Sequence, residues 1–486
     1  VIVVPASTGS ATGHELSDRR AQQFFHHSST TSRSNQRGST VQNRSKLFTA
    51  TALVAAAVTL LAGCSSGGGA SQAVADKAPS TLEGTVSLWH FFSDREGDVI
   101  QSVVDDFEKA NPKVKVEVHA GQDDEKLRKA IAAGKSVDVG LSYSTDVVGN
   151  FCSSGAFRDL NPYIKRDKVD LDQFSDTVRS YTEFDGKQCA MPVLADVYGL
   201  YYNKDLLASV GVTTPPKTLS ELETVADKLT TFNDDGSIKT LGFNPLMGFY
   251  ENAASHFGPL ADAQWLKKDG SSAIGTSAGW TDLITWQTAY VQKIGYDKLQ
   301  AFTAGLGQEF SADNAFQTGQ VAMNMDGEYR TAFIHDQKPD LNYGTAPFPT
   351  ADGHEDQYGA GYITGNIAGI AKGSKNPELA WALLKYMTTD TDAVVKLSNG
   401  LKNVPTTKDA LHSPKLEVSD QFRTFLDIAE NPKSQTTPPS PVGAGYQQTF
   451  EDFWRAYQAD PSQDLAKGLK DVDQQVDDAI ALTTGP

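Results

Sequence analysis

From residue 84 onward, hydrophobic positions recur with a strand period and a helix period in alternation. "GTVSLWHFF", residues 84 to 92, reads as a strand, and "EGDVIQSVVDDFEKA" then sets Val99, Ile100, Val103, Val104 and Phe107 on one face at helical spacing. "KVKVEV" alternates Val114, Val116 and Val118 with polar residues, as a half-buried strand does. A helix over 123–134 and the strand "VDVGLS" at 137–142 follow. This βαβαβ order predicts an α/β fold in which helices cover a mostly parallel sheet. Its ligand groups belong on loops at the carboxyl ends of the strands.

The texture changes near residue 186. "EFDGKQCAMPV" predicts a hairpin turn, "VYGLYYN" a strand, and "NKDLLASVGV" a short helix stopped by Pro215-Pro216. Ser220 and Glu223 have capping-box spacing ahead of a helix that buries Leu222, Val225, Ala226 and Leu229. Asn376-Pro377 opens a second helix, with Ala380, Leu383, Leu384 and Met387 inward. Residues 431–443 are Pro-rich, an acidic helix ends the chain, and no internal repeat is evident.

Upstream, residues 47–63 carry no charge and follow Arg44 and Lys46, the pattern of an export signal. They end in Leu61-Ala62-Gly63-Cys64 and lead into "SSGGG" rather than a basic flank. These four residues resemble the bacterial lipobox, which implies that Cys64 is acylated and becomes the first mature residue; an ordinary secretory signal is the alternative. Residues 1–43 have a disordered composition and suggest a start site placed too far upstream. The expected organisation is a leader with signal peptide over 1–63, then a flexible linker over 64–83.

Removing residues 1–63, with six Lys/Arg against two Asp/Glu, takes the net charge from −17 to −21. That excess argues against nucleic acid or an anionic lipid surface as partner. About 400 residues after the linker exceed what one core usually serves, so two lobes are expected. Cys152 and Cys189 form an even pair in an exported chain, which suggests a disulfide, with two unpaired buried thiols as the alternative. No Cys/His spacing calls for zinc, and no cofactor is expected.

Four blocks carry a family resemblance: "SLWHFFSDREGDVIQSVVDDFEKANPKVKVEV", "MPVLADVYGLYYNKDLLASVGVTTPPKTLSELETVADKL", "FQTGQVAMNMDGEYRTAFI", and "YGTAPFPTADG" with the following "GYITGNIAGIAKGSKNPELAWALLKYMTT". Together these resemble the family 1 solute-binding proteins of ABC importers, the group that binds sugars and oligosaccharides; Leu219 stands where the family often has Trp. The resemblance implies a type II periplasmic-binding-protein-like fold of two α/β lobes joined by hinge crossings near Ala195–Leu200, near Gly359–Asn366 and after Leu411. Residues 84–195 and 366–411 would form the N-terminal lobe, and 200–360 and 412–486 the C-terminal lobe. It also implies a monomer anchored by lipid to the outer face of the cytoplasmic membrane. Such a protein captures a mono- or oligosaccharide and delivers it to the ABC permease subunits.

A sugar offers hydroxyls to polar side chains and C–H faces to aromatic rings. Alignment with maltodextrin-type members therefore proposes Asp94, Arg95, Tyr143, Asp196, Tyr250, Glu328, Tyr329 and Tyr362 as ligand contacts, with Trp89 a further candidate. Each has a plainer reading: Trp89 as core, Asp94 and Arg95 as a helix cap or surface pair. Trp265, Trp280 and Trp286 read as core. Two competing functions remain. "GTSAG" at 275–279 matches the hydrolase serine motif, but "KKDGSSAI" before it is a poor strand and Ser277 fits a helix cap better. Asp196 and Glu328 would need a separation of roughly 5 to 9.5 Å for glycosidase work. A binder of a non-sugar solute is the other alternative.

Overall fold

A computed structural model describes residues 74–484; Cys64, the signal segment and the leader lie outside the described residues. The valine alternation builds β1 (Gly84–Trp89) and β2 (Val114–His119), parallel and in register from Gly84 against Val114 to Trp89 against His119. Between them α1 (Asp94–Ala110) buries Ile100, Val103, Val104 and Phe107, each worth about 1.5–3 kcal/mol of transfer free energy. Helix α2 (Asp124–Ala132) starts where the Asp123 carboxylate accepts the Lys126 N–H at 2.8 Å. It leads to β3 (Val139–Ser142), parallel to β1, and then to α3 (Val147–Ser153).

Beyond this point the sheet is mixed. Strands β4 (Met191–Asn203), β5 (Ile238–Phe243), β6 (Val321–Gly327), β7 (Tyr343–Ala346), β8 (Ile363–Ile370) and β9 (Val404–Pro405) complete it. Its order is β2-β1-β3-β8-β4-β6-β5, with β7 and β9 also paired to β4 and Thr231–Phe232 at the β5 edge. Strand β8 runs antiparallel to both β3 and β4, and β6 antiparallel to β4. Only β1 with β2 and β3, and β5 with β6, are parallel pairs within it.

Thirteen residues make β4 the longest strand, and it changes partner midway. Met191 to Val197 pair with β8, whereas Tyr198 to Tyr202 pair with β6. Two cores lie to either side of that change. One gathers β1–β3, α1, α6 (Pro377–Thr389), α7 (Thr391–Leu401) and the Phe422, Phe425, Leu426 and Ile428 face of a helix at Asp420–Glu430. The other gathers α4 (Leu219–Leu229), α5 (Ala278–Ile294), Trp265 and Trp280, the Trp454 helix at Gly445–Ala459, and Leu469, Val472 and Val476.

Local chemistry departs from the sequence reading at one cap. Helix α4 begins at Thr218, whose hydroxyl accepts the Glu221 N–H at 3.2 Å while Glu221 takes the Lys217 N–H at 2.8 Å. The capping residues are therefore Thr218 and Glu221, two positions earlier than Ser220 and Glu223. Ser220 instead donates to Asp352, and Glu223 pairs with Lys293. At residue 186 the hairpin forms with Asp185 and Gly186 both at positive φ, as a two-residue turn matched to strand twist requires. Cys152 on α3 is bonded to Cys189, just before β4, across Cα atoms 5.6 Å apart.

Candidate functional site

The change of partner in β4 concentrates polar groups. Asp196 faces Thr364 across the ladder, and Tyr198 faces Gly327. One residue past β6, the Glu328 N–H donates to Val197 O at 3.1 Å and its carboxyl accepts the Val197 N–H at 2.6 Å. Asn403, beside β9, donates from Nδ2 to Glu328 at 2.8 Å and also to Asp196. Glu328 is fully buried; desolvation, then the charge of Asp196, pushes its carboxyl well above the usual range. It thus ties β4, β6 and β9 together from within, while Asp196 is half-buried.

Aromatic rings gather next to these acids. Tyr198 stacks on His256 with centroids 3.8 Å apart, meets Tyr329 edge-on at 6.4 Å, and lies 5.8 Å from Tyr362, which is 5.0 Å from His256. Gly327 permits this arrangement, because a Cβ there would lie 2.3 Å from the Tyr329 ring. Gly365, in β8, has φ +155°, and a Cβ there would meet Leu194 O at 2.2 Å. The Tyr329 hydroxyl donates to Glu251. His256 Nδ1 donates to the Glu251 carbonyl at 2.5 Å, since a carbonyl only accepts, and Nδ1 stands 3.6 Å from the Glu251 carboxylate. Burial lowers the His256 pKa against the pull of Glu251, so the ring is neutral at neutral pH and Nε2 is an acceptor.

The loop after β3 reaches the same place. Thr145 and Thr364 hydroxyls bond at 2.9 Å. Asp146 accepts from Gln447 at 2.6 Å and from Thr437 at 3.3 Å, and Thr437 in turn bonds the Tyr362 hydroxyl at 3.1 Å. Desolvation raises the Asp146 carboxyl. Asp124 is pushed up to about 7, chiefly by burial, although Ser142 and the Tyr143 backbone stabilise its charge and Asp123 and Asp146 oppose it. Tyr143 is 40% exposed beside these acids, its ring edge-on to Phe91 at 5.6 Å.

Of the sequence candidates, the structure brings together Asp196, Glu328, Tyr329, Tyr362 and, on the neighbouring loop, Tyr143. Among the described residues, no contact joins Asp94, Arg95 or Trp89 to this group, and Tyr250 lies by the Glu309, Asp326 and Arg330 charges next to Glu251. Asp94 and Arg95 are exposed in the first turn of α1, with Arg95 donating to Gly400 O at 2.5 Å. Trp89 packs against His119 with ring centroids 5.0 Å apart. The Tyr250 hydroxyl is held by the backbone, donating to Gly307 O at 2.7 Å and accepting from Ala315 N at 3.1 Å. Ser277 accepts the Gln264 N–H and follows a 3-10 turn, Ile274–Thr276, rather than a strand.

Five members of the group escaped sequence reasoning: Asp146, Tyr198, Glu251, His256 and Asn403. Asp146 had a signal, lying three residues after Tyr143 in a loop at a strand's carboxyl end. Tyr198 had one too, since it shares a strand face with Asp196. Asn403 had none.

Behind Tyr329, carboxylate oxygens of Glu251, Glu309 and Asp326 lie within 4.8 Å of one another. Arg330, fully buried, supplies the positive charge there: Nε bonds Asp326 at 2.7 Å and Nη2 stands 3.8 Å from Glu309. Its guanidinium lies 5.5 Å and 5.2 Å from the Phe310 and Phe333 ring centroids. An internal ion-pair network, rather than a metal site, fits these groups.

A mixed sheet whose long strand passes between two cores, with polar and aromatic groups gathered at that passage, defines a two-lobe α/β binding fold. Residues 93–394 match the model of the bacterial extracellular solute-binding protein family, and the chain belongs to that family. It is 24% identical over 338 residues to the maltotriose-binding protein of Pyrococcus abyssi (strain GE5 / Orsay), covering 69% of each chain. It is 25% identical over 387 residues to the maltodextrin-binding protein MdxE of Bacillus subtilis (strain 168), covering 77% of this chain and 84% of that one. Among solved structures, CpMnBP1 with mannotriose bound superposes with TM-score 0.70 at 25% identity, covering 81% of this chain and 99% of that one. The fold is thus the type II periplasmic binding-protein fold, as the resemblance implied. Among the described residues, no helix is long and apolar enough to cross a membrane.

Proposed function

We propose that this protein is the saccharide-capturing subunit of an ABC importer, held to the outer face of the cytoplasmic membrane by a lipid on Cys64 and acting as a monomer. The observation that carries the reading is the tyrosine group Tyr198, Tyr329 and Tyr362, set among Asp146, Asp196 and Glu251 where β4 changes partner. Rings take the C–H faces of a pyranose and carboxylates take its hydroxyls. Asp196, Tyr143, Tyr329 and Tyr362 serve as contacts, Glu328 as a brace.

Relatives named for maltotriose and maltodextrin, and a neighbour holding mannotriose, support an oligosaccharide as the solute. The lobes of this reading lie to either side of the β4 partner change, and ligand contacts from both would favour a closed form that the permease subunits recognise. A ligand shifts that equilibrium only by its difference in affinity for the two forms. Its role is capture and delivery, with no chemistry performed on the sugar.

Thermal unfolding against mono- and oligosaccharides, beside amino acids and short peptides, tests the reading. A ligand that binds only the native state at 100 times its Kd adds about 2.7 kcal/mol of stability. A raised midpoint with one saccharide class, and recovery of that sugar unshortened after long incubation, is the expected result. A rise only with a non-sugar solute would overturn the saccharide assignment.

A further inference from the structure

Carboxyl groups crowd this site without cations of their own. Among the described residues, no Lys or Arg lies within 4.0 Å of the carboxylates of Asp124, Asp146, Glu251 or Glu328. Their partners are neutral donors: Gln447 and Thr437 for Asp146, Tyr329 for Glu251, Asn403 and the Val197 N–H for Glu328. The basic neighbour, His256, is neutral and presents an acceptor at Nε2. Two carboxylates elsewhere carry a guanidinium, Asp326 with Arg330 and Asp167 with Arg166, whereas the buried Asp138 is held by the Ser87 N–H and the Ser87 and Ser374 hydroxyls.

Two further observations point to what is missing. Asn366 is 4% exposed, and its amide oxygen has no donor. It pairs with Leu194 on β4, two residues from the Asp196–Thr364 pair and on the same sheet face, so a buried acceptor stands unpaired beside the site. The ring faces of Tyr329 and Tyr362 are themselves electron-rich surfaces that attract cations, while one face of Tyr198 is covered by His256.

We propose that the solute carries a positive charge: an amino saccharide whose ammonium group lies against the tyrosine rings, with Asp146 and Glu251 supplying the opposing charge. An ammonium brings three donors and one unit of charge, which suits a site rich in acceptors and short of both. This rests on the saccharide reading above and narrows it.

Calorimetric titration with sugars that differ only at C2 tests the proposal: glucose against glucosamine, mannose against mannosamine, and cellobiose against the β-1,4 dimer of glucosamine. At neutral pH and low salt, an amine member should bind at least about tenfold more tightly than its hydroxyl counterpart. Asp146→Asn and Glu251→Gln should each shrink that preference to less than about threefold. Should either variant fail to fold, raising salt from about 50 mM to about 500 mM on the unmodified protein should shrink it as well. Hydroxyl sugars binding as tightly as their amines, or a preference indifferent to salt and to both substitutions, would overturn the charge assignment and leave saccharide capture standing. Binding of neither class, with a non-sugar solute bound instead, would remove the saccharide reading and this inference together.

Discussion

Two sets of acids border the tyrosine group and meet at Glu251, and Arg330 sits within only one of them. Behind the Tyr329 ring, Asp326 and Glu309 share the buried Arg330, itself framed by Phe310 and Phe333. Asp146 is met by amide and hydroxyl donors, and Glu251, whose carboxylate also touches Glu309 and Asp326, by the Tyr329 hydroxyl and a neutral imidazole. The difference separates framework from binding surface. A carboxylate paired inside the fold is committed to holding it; of those held by neutral donors, Asp138 and Glu328 brace the fold, and Asp146 lies beside the tyrosine group.

Replacing the cation is the strongest way to break the comparison. Arg330→Met leaves Asp326 buried without its partner, and the expected loss is about 3–5 kcal/mol of stability by urea unfolding. A loss below about 1 kcal/mol would mean that the rear network is not framework. Asp196→Ala should instead weaken saccharide binding at least about tenfold, close to 1.4 kcal/mol, with the unfolding midpoint unchanged. Unchanged affinity would remove Asp196 from the site. Tyr329→Phe keeps the ring but deletes the bond to Glu251, so a loss of about 1 kcal/mol in binding is expected from titration.

A last test concerns Asp124, whose carboxyl is raised from 3.8 to about 7. A raised acid keeps its proton in the native state where the unfolded chain has lost it. Its stabilising contribution is therefore full below about pH 4 and lost as the pH climbs to about 7. Asp124→Asn should flatten that slope in urea midpoints measured across the interval; an unaltered slope would show that Asp124 titrates normally.

How far the sequence reached depended on distance along the chain. The α1 face, the α6 face and the β1–α1–β2–α2–β3 order follow from periodicities that each fit within one element. The capping box of α4 was displaced because Thr218 and Ser220 are both competent caps, and packing of Leu219 inward selects the earlier one. The antiparallel run of β8 between β3 and β4 was not readable, since pairing direction depends on where the chain returns from. Within the site, Asp196, Tyr329 and Tyr362 came from motif resemblance. Tyr250 came from the same source, yet backbone groups at residues 307 and 315 hold its hydroxyl.

By itself, then, the sequence determined the elements, the family and the aromatic–acidic character of the site, because these depend on local spacing and side-chain type. Which acids meet a cation was decided only in three dimensions. Asn403 reaches Asp196 across 207 residues and Glu328 across 75, and Gln447 reaches Asp146 across 301. No local pattern encodes such contacts; they exist because β4 passes between two cores and draws distant loops to one point. Tertiary structure sets each carboxyl's burial and partners, and through them whether its charge is spent on the fold or kept for the solute.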